Sequence, residues 1–507
     1  MAFFALLAIL MTVASYLLLI ALAVASVGLS YAAYRGSDTN IQLLLLCLFG
    51  IAIAGALLWS LIPKRDKFVA PGPRLERASH PQLFAELERI AALLDQPMPK
   101  DVYLIGEMNA YVVDRGGLMG FGSHRIISLG LPLLSVLTVA EFRAILAHEF
   151  AHFYGGDTKL GPWVYKARRA MVQTFENVGS LRKFARIQVL YVVYMILFYI
   201  LKWYFMLFLR ITSFISRRQE YRADELACIV GGSQPLISGL QTIRAAAPAW
   251  ASYWHTEVTP LLAEGTMPVI ADGFARFIAA PNIAPQIQAF LGKELLKARP
   301  EPYDTHPPLI KRIQAAQHHA CGSAQSESKP ATSLLGDLED AESGLIKVLQ
   351  PKAASNPLKR VPWDELVSST LPTWSQYVQS YASILQDYTV ETLPAAVQML
   401  PQFAHHIRQP KGRLLDMEQR QGEAADLLAM ALGLALLKEG WELHIQPGQR
   451  YLSKEGEKLA PFASIGNLAS KKLSAEDWVA KCRKLNIATL PLAQLQKESP
   501  PISSSIA

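Results

Sequence analysis

From Met1 to Tyr34 no side chain is charged, and residues 3–33 are almost unbroken Ala, Leu, Ile, Val and Phe. A bilayer core needs roughly 20 apolar residues to cross, so this stretch reads as a membrane span. It has no basic leader and exceeds the ~7–15-residue apolar region of a cleaved signal, which favours a retained helix. A second apolar run, residues 41–62, follows a short polar loop, and the two predict a transmembrane hairpin within residues 1–67. Lys64, Arg65, Lys67, Arg74 and Arg77 follow the second run, whereas the loop holds Arg35 offset by Asp38. The positive-inside rule then puts the N-terminus and everything after residue 63 in the cytoplasm, with the lipid bilayer as a partner.

Of the 507 residues 51% are apolar and 18% charged, which excludes disorder as the main theme. The net charge of +7 is thinly spread except beside the apolar runs, so no nucleic-acid surface is indicated. Cys47, Cys228, Cys321 and Cys482 lie far apart, with neither a disulfide framework nor a thiolate metal site in their spacing.

Residues 68–320 read as one domain. Residues 79–96 have helical apolar spacing; 102–105, 110–113 and 125–129 read as short strands around a Gly-rich turn at 116–122; residues 138–154 form a strong helix stopped by Gly155-Gly156; residues 218–245 are again helical. Residues 321–357, rich in Ala, Ser, Pro and Lys, read as a linker. Residues 358–492 read as a separate small α+β unit: a core helix at 424–437, a hairpin of 441–445 with 449–452 around Pro447-Gly448, and a helix at 474–485. Residues 493–507 read as a disordered tail. The expected fold class is therefore mainly α with a small β-sheet.

The chemistry sits in the 138–154 helix. His148-Glu149-Phe150-Ala151-His152 is an H-E-x-x-H motif, of which chance supplies about 0.01 in a chain of this composition. Residues i and i+4 share a helical face, so both imidazoles can reach one Zn²⁺ while Glu149 addresses the water that such an ion activates. A catalytic zinc needs a third protein ligand. Glu220 and Asp224, also at i and i+4, offer one: Glu220 as ligand, Asp224 as the acceptor that orients a ligand histidine. Taken alone, Glu220 and Asp224 among arginines fit a solvated helix face; beside H-E-x-x-H the metal reading leads.

The ordered set Asn109-Ala110, His148 to His152 with Gly156-Asp157, Glu220 with Asp224, and His306-Pro307 with Arg312 resembles the membrane zinc metallopeptidases of the HtpX and CAAX-prenyl-endopeptidase kind, over roughly residues 70–315. The resemblance implies a zincin-like peptidase domain, one zinc per chain on His148, His152 and Glu220, Glu149 as general base, and His306 as a candidate oxyanion stabiliser. It also implies that Asn109, Ala110 and Tyr111 belong to an edge strand that binds substrate backbone. The function expected is a membrane-anchored zinc endopeptidase acting on unfolded or membrane-associated polypeptides in protein quality control, in the inner membrane of a bacterium with its site facing the cytoplasm. Its rivals are a membrane scaffold with a structural or inactive zinc site and a prenyl-protein processing enzyme.

A third apolar run, residues 187–209, is interrupted only by Lys202 and has arginines at both ends. One crossing there would put His148 and Glu220 on opposite sides of the membrane. Residues 187–215 are therefore expected to lie in the interface or to dip in as a shallow re-entrant hairpin.

Overall fold

The computed structural model describes residues 2–36, 41–62, 68–116, 122–154, 161–185, 187–319, 327–351, 357–408 and 415–493. The chain forms two compact units, Met1–Trp250 with Ile287–Pro351, and Ala251–Gln286 with Lys352–Ala507. Lys64, Arg65, Lys67, Gly156-Asp157, most of the Gly-rich turn and the tail from residue 494 lie outside the described residues.

The first unit opens with α1 (Ala2–Arg35) and α2 (Ile41–Leu61), packed against each other as the expected hairpin. Their approach is close at Gly50, where a Cβ would stand 3.0 Å from Ser26 O. Val24, Leu29 and Ile41 are among the apolar side chains turned outward, as a lipid-facing surface requires. Next come β1 (Arg74–Leu75), α3 (Pro81–Leu93), β2 (Asp101–Ile105), β3 (Ala110–Arg115) and β4 (His124–Gly130). They build a sheet of order β1-β2-β4-β3, with β2 parallel and β3 antiparallel to β4. β3 is thus an outer strand. Gly130 ends β4 where a Cβ would fall 2.0 Å from Glu107 O, so only glycine lets the chain turn there.

After α4 (Leu131–Val136), helix α5 (Val139–Ala151) starts at a capping box in which Thr138 and Glu141 satisfy each other's backbone N–H groups. Two helices follow that the sequence reading did not anticipate in this form. α6 (Gly161–Ser180) runs along α1 and α2, and α7 (Gln188–Gly231) returns beside it as one unbroken helix. Met171 meets Phe208, and Phe175 meets Phe198 and Phe205, which sets α6 antiparallel to α7. Asn177 Nδ2 donates to Ser60 Oγ at 2.8 Å and Tyr204 Oη to Met11 O at 2.6 Å, fixing both against the hairpin.

The expected reversal inside residues 187–215 is therefore absent. Nothing in that run carries the Gly, Pro or polar cluster a turn needs, so the helix propagates. The reversal lies earlier, at Leu181–Phe184, and α6 is the other arm. α1, α2 and α7 are each long and apolar enough to cross a membrane. The expected 218–245 helix is the end of α7 plus the helix Ser233–Tyr253, separated at Gly232, whose φ of 92° breaks the run.

The boundaries also shift. Within the stretch read as a linker, Ala331–Leu334 is a 3-10 turn and Leu338–Leu349 an α-helix that buries Ala341, Leu345 and Ile346. Residues 251–286, read with the peptidase domain, fold with the C-terminal residues instead. There Thr266–Pro268 pairs in parallel with Lys359–Val361. Elsewhere in that unit the hairpin Glu442–Gln446 with Gln449–Lys454, to which Glu457–Leu459 adds a third strand, and helix Ala475–Lys484 lie where expected. The core helix starts seven residues earlier, at Met417–Lys438, and Leu366–Ser380, Leu400–His406 and Pro461–Ala469 are further helices that the sequence did not announce.

Candidate metal centre

α5 and α7 meet closely because Gly231 lies on Ala144: a Cβ at Gly231 would be 2.5 Å from Ala144 Cα. α5 is itself held from behind, where Arg143 is paired with Glu86 of α3 and with Glu327. This brings the predicted residues into one cluster. His148 Nε2 and His152 Nε2 each stand 3.5 Å from a Glu220 carboxylate oxygen, and the two imidazoles meet edge to face with centroids 4.8 Å apart. One donor atom from each of His148, His152 and Glu220 lies within 4.8 Å of the others, a set that could hold one metal ion.

The donor set fits zinc: two imidazoles and a carboxylate, the complement of a three-ligand site with an open fourth position. Glu220 Oε2 is the atom that tests this. It is buried with no hydrogen-bond partner, although His306 Nδ1, His148 Nε2 and Arg312 Nη1 surround it at 3.2, 3.5 and 3.6 Å. A buried carboxylate oxygen in that position is costly unless a cation meets it.

Behind the imidazoles lies a charged support. His148 Nδ1 is 3.0 Å from Asp224 Oδ1, leaving Nε2 for the Glu220 side. Arg312 Nε donates to Asp224 Oδ2 at 2.8 Å and Arg312 Nη2 to Oδ1 at 2.6 Å, a bidentate grip. Arg312 lies one turn into the helix Leu309–His318, and its spacing from His306 is the sequence signal for this supporting role.

His306 comes from the segment before that helix. Ser213 Oγ donates to Tyr303 O at 3.1 Å and Arg217 Nη1 to Asp304 O at 2.7 Å, so the strap is fastened to α7 on either side of one helical turn. Asp304 Oδ1 then accepts from His306 N at 2.9 Å. The His306 side chain remains more than half exposed, at 58%, and thus open to a substrate. Asn109 precedes β3, and Ala110 and Tyr111 begin it; β3 packs against α5.

Electrostatics separate the three residues of the motif. Burial pushes the Glu149 carboxyl up to about 7, against the opposing charge on His148. Burial would lower His148, but the Asp224 and Glu220 carboxylates beside it win and raise it to about 9. Burial and the adjacent His148 charge depress His152 to about 4. Glu149 is thus poised near neutrality, where an acid–base group is most effective.

Apolar helices able to span a bilayer and an H-E-x-x-H cluster completed by a distant glutamate define a membrane metallopeptidase. Residues 77–320 match the model of peptidase family M48. Protease HtpX of Mannheimia succiniciproducens is 25% identical over 239 residues, covering 44% of this chain and 80% of that protein. Protease HtpX of Pseudomonas putida GB-1 is 26% identical over 247 residues, covering 44% of this chain and 79% of that protein. The HtpX homolog 1 of Streptomyces coelicolor is 33% identical over a shorter stretch of 88 residues, 17% of this chain and 27% of that protein. Over residues 77–320 the chain is similar to the HtpX-like M48 metallopeptidases.

Proposed function

We propose that the protein is a zinc-dependent endopeptidase that holds one zinc ion on His148, His152 and Glu220 and uses Glu149 as its general base. The observation that carries this reading is the buried Glu220 carboxylate, whose Oε2 lacks a hydrogen-bond partner and whose two oxygens each stand 3.5 Å from a motif imidazole, Oε2 from His148 Nε2 and Oε1 from His152 Nε2. When bound, zinc supplies Lewis-acid polarisation of the scissile carbonyl and an acidified water.

The chain's own residues do the rest. Glu149 takes the proton of the attacking water and passes it to the leaving amine. Asp224 keeps His148 oriented, and Arg312 keeps Asp224 in place. His306, exposed on its strap, donates to the oxygen that gains charge in the tetrahedral intermediate. The outer edge of β3 at Asn109, Ala110 and Tyr111 pairs with substrate backbone, which selects extended conformation over side-chain identity. Unfolded or membrane-associated polypeptides meet that condition, consistent with protein quality control. The basic residues after α2 support a site on the cytoplasmic side of a bacterial inner membrane.

The test is cleavage of unfolded casein by the detergent-purified full chain and by Glu149→Gln, with zinc quantified in both. One zinc per chain in each, with cleavage reduced about 10²–10⁴-fold in the variant, is the expected result. Zinc in both and cleavage in neither would move the protein to the scaffold class.

A further inference from the structure

Beyond residue 209 α7 leaves its apolar run, but its outward stripe does not end there. Trp203, Leu207, Arg210, Phe214 and Arg218 are exposed at spacings of three and four, so one face of the helix passes continuously from apolar to basic. Arg218 lies over the Phe214 ring at 5.2 Å, the arginine covering the last exposed aromatic of the stripe. One turn further a groove of about 600 Å³ opens between α7 and the helix Leu309–His318. Arg218, Tyr221, Arg222 and Glu225 form one wall, and Ala315 and His319 the other.

Depth decides what such a groove meets. At a rise of about 1.5 Å per residue, Arg218 stands about 6 Å beyond Phe214, at headgroup depth, and the Arg222 backbone about 12 Å beyond it, from where its long side chain leans back toward the N-terminal, apolar end of the helix. The headgroup layer extends roughly 5–7 Å beyond the hydrocarbon on each side, and basic residues there are attracted to anionic lipid at about 1 kcal/mol each. The walls combine two guanidiniums, a phenol and an imidazole against one carboxylate, the donor set of a phosphodiester site.

From this stripe and groove we propose that the cleft between α7 and the helix Leu309–His318 binds the phosphate-bearing headgroup of an anionic phospholipid whose acyl chains lie along the exposed face of α7. The occupant bridges two elements that also meet deeper in, where Arg312 of the second helix grips Asp224 of α7. The lipid therefore braces the contact that supports His148, without touching the metal-binding group.

The experiment uses the full chain in neutral maltoside detergent, titrated with dihexanoyl phosphatidylglycerol, with dihexanoyl phosphatidylcholine, and with inorganic phosphate, and reads the thermal unfolding midpoint. Phosphatidylglycerol should raise the midpoint saturably, the other two should not, and Arg218→Gln/Arg222→Gln should weaken the apparent affinity about tenfold or more while Arg218→Lys retains most of it. Should the double variant fail to fold, Ala315→Glu, which sets a second carboxylate in the groove, is expected to give the same loss. An equal response to phosphatidylcholine, an equal response to inorganic phosphate, or wild-type affinity in the substituted chains would overturn the proposal.

Discussion

Asp224 is 1% exposed and carries its charge among few partners: His148 on one oxygen and Arg312 on both. Replacing Arg312 by Met keeps the stem's volume and leaves that carboxylate buried beside a single imidazole. Breaking a buried pair in this way costs about 3–5 kcal/mol, because the stranded ion has no solvent to return to. Denaturant unfolding of Arg312→Met should show a loss of that size, and Asp224→Asn combined with Arg312→Met should recover much of it, since the double change removes the stranded charge. A loss below about 1 kcal/mol in the single variant would mean that Asp224 has a partner besides these two. At this scale the sequence was informative where candidate ligands share one helix. His148 and His152 are legible from i, i+4 spacing, and Glu220 from a second such pair. The position of His306 was not, because it depends on Ser213 and Arg217 reaching the backbone of Tyr303 and Asp304, contacts between residues about 90 positions apart.

Elements were legible in proportion to how much of their burial came from apolar side chains. α1, α2 and the first half of α7 announce themselves, the strands of the first sheet lie within a residue or two of expectation, and α5 starts within one residue of it and ends three short. α6 escaped notice because it carries Lys166, Arg168 and Arg169 and buries a narrow stripe, of which Met171, Thr174 and Val178 are the clear members. Their spacing of three and four was present in the sequence, but hydropathy alone does not register it. Leu338–Leu349 was hidden similarly by its Asp and Glu residues. The contact that makes the site is also an element-scale property: α7 reaches α5 only because Gly231 has no side chain. A Cβ there would lie 2.5 Å from Ala144 Cα and 2.8 Å from Ala144 Cβ, both in a packed helix that cannot yield. Gly231→Val is expected to cost about 1–3 kcal/mol or more and to lower zinc occupancy by separating Glu220 from the imidazoles. Gly179→Ala in α6 is the control: it meets nothing within 4 Å and should be neutral or slightly stabilising. Unchanged zinc occupancy in Gly231→Val would show that the helices can separate without opening the site.

For the whole molecule, the division of the chain matters more than the number of units. The linear reading put a linker at residues 321–357, which predicts that everything before it stands without residues 358–507. The fold denies residues 251–286 that independence. Tyr253 packs against Phe274, Phe277 and Trp363, and Trp363 is 1% exposed and donates through Nε1 to Val269 O at 2.8 Å. Gly273 leaves space for the Trp363 indole, and the turn at Gly448 seats on Phe277, Ala280 and Ile283. Removing one buried Trp costs about 3–5 kcal/mol; deleting residues 352–507 removes Trp363, the strand partner of Thr266–Pro268 and the seat of Gly448 together. A chain ending at residue 351 should therefore be cut by trypsin at Arg276, which loses its partner Asp364, long before the full chain is, and should elute as aggregates because the exposed face is aromatic. A deletion that retains neither 251–286 nor 352–507, with a short Gly-Ser bridge from Trp250 to Ile287, should restore a monodisperse species, since it removes both halves of one core. If instead the chain ending at 351 is monodisperse and resists trypsin across 251–286, those residues draw their stability from elsewhere, and the linear division is the physical one.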